Sequence, residues 1–168
     1  AGVHRLLMTN PAVRTYRTLF LSDMHLGARG CQADKLVDFL RHHEADTIYL
    51  VGDIVDGWAL RSGWFWPQSH NDVVQKLLRK GRKGTRIVYV PGNHDEFLRG
   101  YYGTHFGGIE VVESAIHIGA ELLGVGPDCS DFHTVFGERA SLVHTEHRHC
   151  AKSFDHGRTT HQYLMTRE

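Results

Sequence analysis

Residues 48–57 read IYLVGDIVDG, and the fold and the chemistry both follow from this stretch. Ile48, Tyr49, Leu50 and Val51 run without a charge into Gly52, and two carboxylates follow at Asp53 and Asp56. A short apolar run ended by glycine predicts a strand buried on both faces. The acids then stand just beyond its C-terminal end, where open α/β sheets receive their ligands. Two carboxylates three residues apart in apolar surroundings point to a divalent cation, or to two.

The same pattern recurs on either side. Upstream, TLFL at 18–21 predicts a first strand that ends in Ser22, Asp23, Met24 and His25. Downstream, RIVYV at 86–90 predicts a third strand that runs into Pro91, Gly92, Asn93, His94 and Asp95. Between the first two strands, Leu36, Val37, Phe39 and Leu40 share one side of an amphipathic helix over 32–43, which makes a right-handed βαβ unit with a second strand at 47–51. Residues 56–67 read as a loop carrying Trp58, Trp64, Phe65 and Trp66, aromatics that anchor the loop or offer a substrate surface. Ser69 and Asp72 match a capping box that opens a second helix with a buried stripe of Val73, Val74, Leu77 and Leu78. The basic run Arg79, Lys80, Arg82 and Lys83 reads as a solvated helix end closed by Gly84, in preference to a nucleic-acid surface. Residues 109–112 and 114–118 predict two further strands, antiparallel or crossing to a second sheet. Residues 1–17 read as a leader that is mostly loop.

Composition narrows the function. Hydrophobic residues are 41% and charged residues 23% of the 168, as expected of a globular domain with a real core. With 19 basic against 19 acidic residues, bulk charge favours neither nucleic acid nor an acidic membrane surface as partner. Cys31, Cys129 and Cys150 form no C-x-x-C pair, which speaks against a disulfide framework or a zinc knuckle. No apolar run approaches the roughly 18–20 residues of a membrane span, and no signal-like stretch opens the sequence. A cytoplasmic protein with at most peripheral membrane contact is expected. The 14 histidines direct attention to metal chemistry.

Parallel strands of one sheet point their C-terminal ends the same way, so the polar clusters Asp23/His25, Asp53/Asp56 and Asn93/His94/Asp95 can converge. Oxygen ligands from Asp and Asn with imidazole from His suit Mn, Fe or Zn. Asp53 can bridge two ions through its two oxygens, and two ions about 3.5–4 Å apart lower the pKa of a bridging water and clamp a phosphoryl oxygen. A neighbouring His–Asp pair such as His94 and Asp95 is a usual proton-handling unit. Asp56 either supports the ligands or satisfies loop amides.

These motifs, D-x-H at 23–25, G-D-x-x-D at 52–56 and G-N-H-D at 92–95, resemble the calcineurin-like metallophosphoesterase family. LSDMHLG at 21–27, the Trp-rich loop after GDIVDGW and VPGNHDEFLRG at 90–100 resemble its bacterial UDP-2,3-diacylglucosamine hydrolase-like branch. The resemblance covers residues 18–118. It implies an α/β fold of two packed sheets flanked by helices and two divalent ions, Mn first, with Fe or Zn as alternatives. Asp23 and His25 would bind the first ion, Asp53 would bridge, and Asn93 would bind the second. His94 would face the phosphoryl group and protonate the leaving oxygen or steady its charge, with Asp95 orienting its ring. The implied reaction is hydrolysis of a phosphate ester or diphosphate in a small phosphorylated substrate, a nucleotide–lipid from lipid A biosynthesis included. A rival within the superfamily is a protein Ser/Thr phosphatase.

The pattern departs in the second half. The family's later lone histidine and its terminal G-H-x-H are not plainly present. The nearest approach is EHRH at 146–149, so that His147 and His149, with His117, His133 or His144 as the lone residue, are candidates, although solvent-facing histidines are the favoured reading. Residues 119–168 show no clear strand alternation and read as an atypical, truncated or poorly packed tail. The competing function is therefore a catalytically incomplete fragment that keeps part of a metal site. Members acting on the lipid A precursor commonly carry Arg where His94 stands, which makes this chain resemble a His-bearing relative. His42, His43, His70 and His105 read as solvated or as lying at the site edge, and Cys31 as a small buried residue.

Overall fold

The computed structural model describes residues 13–118, 132–137, 140–145 and 162–166. Strand β1 (Arg14–Ser22) leads through helix α1 (Ala33–His42) into β2 (His43–Val51). Helices α2 (Gly57–Ser62) and α3 (Gln68–Arg82) then lead to β3 (Arg86–Val90), and a 3-10 turn follows at Glu96–Tyr101. Next come β4 (His105–Phe106), β5 (Ile109–Val111), β6 (Ala115–Ile118), β7 (Phe132–Gly137), β8 (Ala140–Thr145) and β9 (Gln162–Thr166). β1, β2, β3 and β5 are parallel neighbours, with Leu19 opposite Ile48 and Ile48 opposite Ile87. β4 and β9 close the two edges antiparallel, giving the order β4-β5-β3-β2-β1-β9. A second, antiparallel sheet has the order β6-β8-β7.

The layers follow from the alternation of side chains along each strand. Leu19, Leu21, Ile48, Leu50, Ile87 and Tyr89 face one way and pack with Leu36, Val37 and Leu40 of α1 and Val73 and Leu77 of α3. Phe20, Tyr49, Val51 and Val88 face the other way and pack with Val112 and Ala115. On that side β8 lies against β2 and β3, and the Phe20 and Tyr49 rings stack with centroids 5.0 Å apart. Both faces are therefore dry over Leu19–Leu21, Ile48–Val51 and Ile87–Val90, which is why these stretches carry no polar alternation. Each large apolar side chain so buried contributes about 1.5–3 kcal/mol. The expected two-sheet α/β sandwich is present, with α1 and α3 both on one face and the second sheet on the other.

Several boundaries differ from the sequence reading. β1 begins at Arg14 and β2 at His43, because Arg14, Thr15 and Tyr16 pair with His43, Glu44 and Ala45. α1 thus passes into β2 without a linker, and the His42 and His43 rings bond the Asp38 and Phe39 carbonyls at 2.9 and 2.8 Å. Residues 57–62, expected as loop, form α2, with the Asp56 side chain accepting from the Ala59 N–H as N-cap. The capping box at Ser69 and Asp72 does not form. α3 starts earlier, at Gln68 behind Pro67, so Ser69 already lies inside the helix. Its other end behaves as expected: Gly84, at φ 104°, bonds Gly81, and the Thr85 N–H bonds the Lys80 carbonyl, a Schellman closure.

The basic run before that closure is not uniformly solvated. Lys80 is buried, its Nζ 2.7 Å from both Glu44 Oε2 and the His43 carbonyl. Of the two late strands, β5 runs parallel to β3 in the main sheet and β6 crosses to the second sheet. Beyond 118 the described residues add β7, β8 and β9, which side-chain alternation did not signal. Among the described residues no helix is long and apolar enough to cross a membrane.

Candidate metal centre

Three loops leave the C-terminal ends of β1, β2 and β3, and backbone hydrogen bonds fasten them into one rim. The Gly52 N–H bonds the Val90 carbonyl at 2.8 Å, and the Asp23 N–H bonds Gly52 at 3.2 Å. His25 and Leu26 donate to the Asp53 and Ile54 carbonyls, and Asp56 donates back to Leu26, each at 2.8 Å. Gly57 closes the rim by donating to the His94 carbonyl at 2.9 Å. Gly92 is required here, because a Cβ would stand 2.5 Å from Asp53 Oδ1 and 2.8 Å from the Asp53 nitrogen.

The backbone at this rim is unusual. Asp23, His25 and Asp53 have φ values of 53°, 49° and 54°, and they are the non-glycine residues in the left-handed region among those described. Such a conformation costs roughly 1–2 kcal/mol for a residue with a Cβ. The same three residues bring ligand atoms within 4.8 Å of one another. A second triad, His25, Asp56 and His94, meets the same limit and shares His25 with the first.

The two nitrogens of His25 face different partners. Nδ1 lies 3.2 Å from Asp56 Oδ2, while Nε2 lies 4.0 Å from Asp23 Oδ1. With the Nδ1 proton directed at Asp56, Nε2 presents its lone pair on the Asp23 side, as a metal-ligating imidazole does. The Asn93 amide stands 3.3 and 3.2 Å from the two Asp53 oxygens. Turned one way its nitrogen donates to both; turned the other way its oxygen faces two acceptors, which only a cation between them would hold there. Burial pushes the Asp53 carboxyl up to about 6, against the His94 N–H that it accepts at 2.9 Å. A crowded, desolvated set of hard donors short of positive charge fits a divalent cation.

Asp56 is the residue whose part the sequence left open. Its burial alone would raise its carboxyl, but His25, His94 and the Ala59 N–H together hold it well below the usual carboxylate range. His94 Nδ1 lies 3.0 Å from Asp56 Oδ1, off the line of a good hydrogen bond yet close enough to pair charges. Burial opposes charge on the His94 ring, but Asp56, with Asp53 and Asp95, raises its pKa above the ordinary imidazole value. Asp95, expected beside that ring, is fully buried and bonds elsewhere: its oxygens accept from the Ile54 and Gly92 N–H groups and from the Tyr89 hydroxyl. The carboxylate at the ring is Asp56, and Asp95 ties the β2 and β3 loops together.

The aromatic segment divides likewise. Trp58 packs on His94 with centroids 4.2 Å apart and is 45% exposed. Trp66 and Phe65 instead meet His70 edge-on. His70, expected at the site edge, is buried, and its Nδ1 accepts from the Gly27 N–H at 3.0 Å, so it anchors the β1 loop from within. Among the later candidates, His133 and His144 are register partners in β7 and β8, and His117 lies in β6. His147 and His149 lie outside the described residues.

A family model described as calcineurin-like phosphoesterase matches residues 16–167, well past the last motif readable in the sequence. The chain is 29% identical over 102 residues to a protein of Cellvibrio japonicus named UDP-2,3-diacylglucosamine hydrolase, covering 59% of this chain and 42% of that protein. It is 35% identical over 88 residues to one of the same name from Chromohalobacter salexigens, covering 49% and 34%. The matched part thus spans less than half the length of these relatives. Among solved structures, the nuclease MPE of Pseudomonas putida aligns with a TM-score of 0.37 at 20% identity, over 57% of this chain and 47% of that one, too loosely to bear on function.

Proposed function

We propose that this chain, which belongs to the calcineurin-like phosphoesterase family, hydrolyses a phosphate ester or diphosphate bond at the rim formed by its β1, β2 and β3 loops. The observation that carries this reading is the gathering of Asp23, His25 and Asp53, all in left-handed backbone, with Asn93 against the Asp53 carboxylate. Asp23, His25, Asp53 and Asn93 would hold two divalent ions, Mn first. When bound, such ions supply an activated water and polarise a phosphoryl oxygen.

The chain's own groups supply the rest. Asp53, with two oxygens at the centre of the rim, orders both halves of the ligand set. Asp56 directs the Nδ1 proton of His25 away from the cation side and favours the protonated form of the His94 ring. In that form His94 can donate a proton to the leaving oxygen, a role that suits a pKa raised toward the working pH. Trp58 backs the His94 ring and shields one side of it from water. All of this chemistry lies within residues 18–118. The names of the relatives favour a nucleotide–lipid diphosphate as substrate, and the absence of a crossing helix among the described residues accords with a cytoplasmic protein in at most peripheral contact with the membrane.

Hydrolysis of bis(p-nitrophenyl) phosphate with Mn in excess tests the reading. Asp53→Asn is expected to lower the metal-dependent rate by about 10³-fold or more, with close to two ions per chain in the parent protein. Retained activity in the variant would refute the bridging role, and an ion-free, inactive parent would refute the enzyme.

A further inference from the structure

Away from the rim, α1 and α3 border an open cleft of about 340 Å³ whose lining includes Arg41, Asp72, Lys76, Arg79 and Arg82. Lys76, Arg79 and Arg82 recur every three residues and so follow one side of α3, with Arg41 from the last turn of α1 lining the same space. The basic run of α3 is thereby divided. Lys80 turns inward to Glu44, while its neighbours along the helix line the open space. Four cations meet one carboxylate, Asp72, and Asp72 Oδ1 already accepts from Gln68 Nε2 at 2.8 Å. Within the described residues none of the four is ion-paired. Their repulsion is felt locally: some desolvation, then Arg41, Arg79 and Lys80, depress the Lys76 pKa, with Glu44 acting in the opposite direction.

Like charges held together in a recess raise the free energy of the empty cleft, and an anion placed among them would lower it. Three guanidinium forks suit tetrahedral phosphoryl oxygens, which they can bind two at a time. The excess of three positive charges calls for a ligand with more than one negative charge. We propose that the α1–α3 cleft binds a small soluble anion carrying two or more phosphoryl groups, at a site separate from the metal rim. The three guanidinium groups come from two helices and face one shallow depression, an arrangement that suits a compact polyanion.

The site can be tested without reference to the hydrolase reading. Inorganic pyrophosphate is titrated calorimetrically into the full chain in EDTA at about 150 mM salt, where loose surface attraction is screened beyond ~8 Å. Saturable binding to one site is expected, weakened about tenfold or more in Arg79→Gln and in Arg41→Gln, where a charge-assisted fork is lost. Asp53→Asn should bind as the parent does, which separates this cleft from the rim. Both arginines are exposed, so the variants should melt with the parent; if Arg79→Gln does not, Arg82→Gln replaces it. No saturable binding, equal binding in the arginine variants, or binding lost in Asp53→Asn would each overturn the proposal. So would binding to phosphatidylglycerol vesicles that depends on Arg79 when pyrophosphate does not bind, since the cleft would then be reading a membrane.

Discussion

Leu50 and Asp53 are three residues apart on one continuous strand and loop, and they are held by opposite means. Leu50 is 1% exposed in ordinary extended backbone, within the layer shared with α1 and α3. Asp53 is nearly as buried, at 6%, but it stands in left-handed backbone and is crowded by Gly92, Asn93 and the His94 N–H. The sheet interior is relaxed, and its side chains favour folding. The rim is strained and desolvated, and its side chains are tolerated because the interior more than offsets them. Such strain at a ligand site belongs with function, and relieving it trades activity for stability.

The largest effect should come from the interior. Leu50→Ala is expected to destabilise by about 2–5 kcal/mol, read by urea or thermal denaturation. A cost below ~1 kcal/mol would mean that the interior is looser than its burial indicates. At the rim, Asp56→Asn keeps a good N-cap for α2 and removes the charge beside both histidines. It should lower kcat/KM for bis(p-nitrophenyl) phosphate by about 10–100-fold, and it should also lower the midpoint of unfolding at neutral pH, because a carboxylate held below its usual range by two histidines stabilises the fold there. An unchanged midpoint would show that Asp56 does not pair with the histidines in the folded chain.

Acidification should sharpen the contrast next. The metal-free Asp53 carboxyl titrates at about 6, so above that pH it is ready to bind a cation, and below it a proton must first leave. On account of Asp53, Mn affinity should therefore fall by up to about tenfold for each pH unit below about 6, as calorimetry at several pH values would read. A flat profile from pH 5 to 7 would show that Asp53 does not bind the ion. The smallest effect is expected at Asp23→Gly, which relieves left-handed strain at the price of added freedom in the unfolded chain. The metal-free variant should melt at or slightly above the parent, by the equivalent of ~0.5 kcal/mol. A clear fall would show that Asp23 supports the fold.

The sequence makes the interior far more legible than the rim. Residues 48–51 and 87–90 are apolar or aromatic throughout because both faces of the sheet are covered there, so the strands announce themselves. The three motifs could be placed because each follows such a strand. What escaped notice depends on partners distant in the chain. His70 owes its burial to the Gly27 N–H, 43 residues away. Asp95 was assigned to its neighbour His94, whereas its oxygens are taken by Ile54, Tyr89 and Gly92. Helix α2 was hidden because GWALRS at 57–62 is too short to show a period, and it depends on the Asp56 cap. β9 owes its place to backbone pairing with β1, which no alternation of side chains encodes.

The contact between Trp58 and His94 gives the rim an optical reporter. Indole emission is dimmed by a neighbouring imidazole when that imidazole is charged, so the brightness of Trp58 follows the proton that His94 holds or releases. Trp64, 78% exposed and 6.3 Å from Trp66, lies in a different aromatic group. Fluorescence can therefore follow events at the His94 side of the rim in the unlabelled chain.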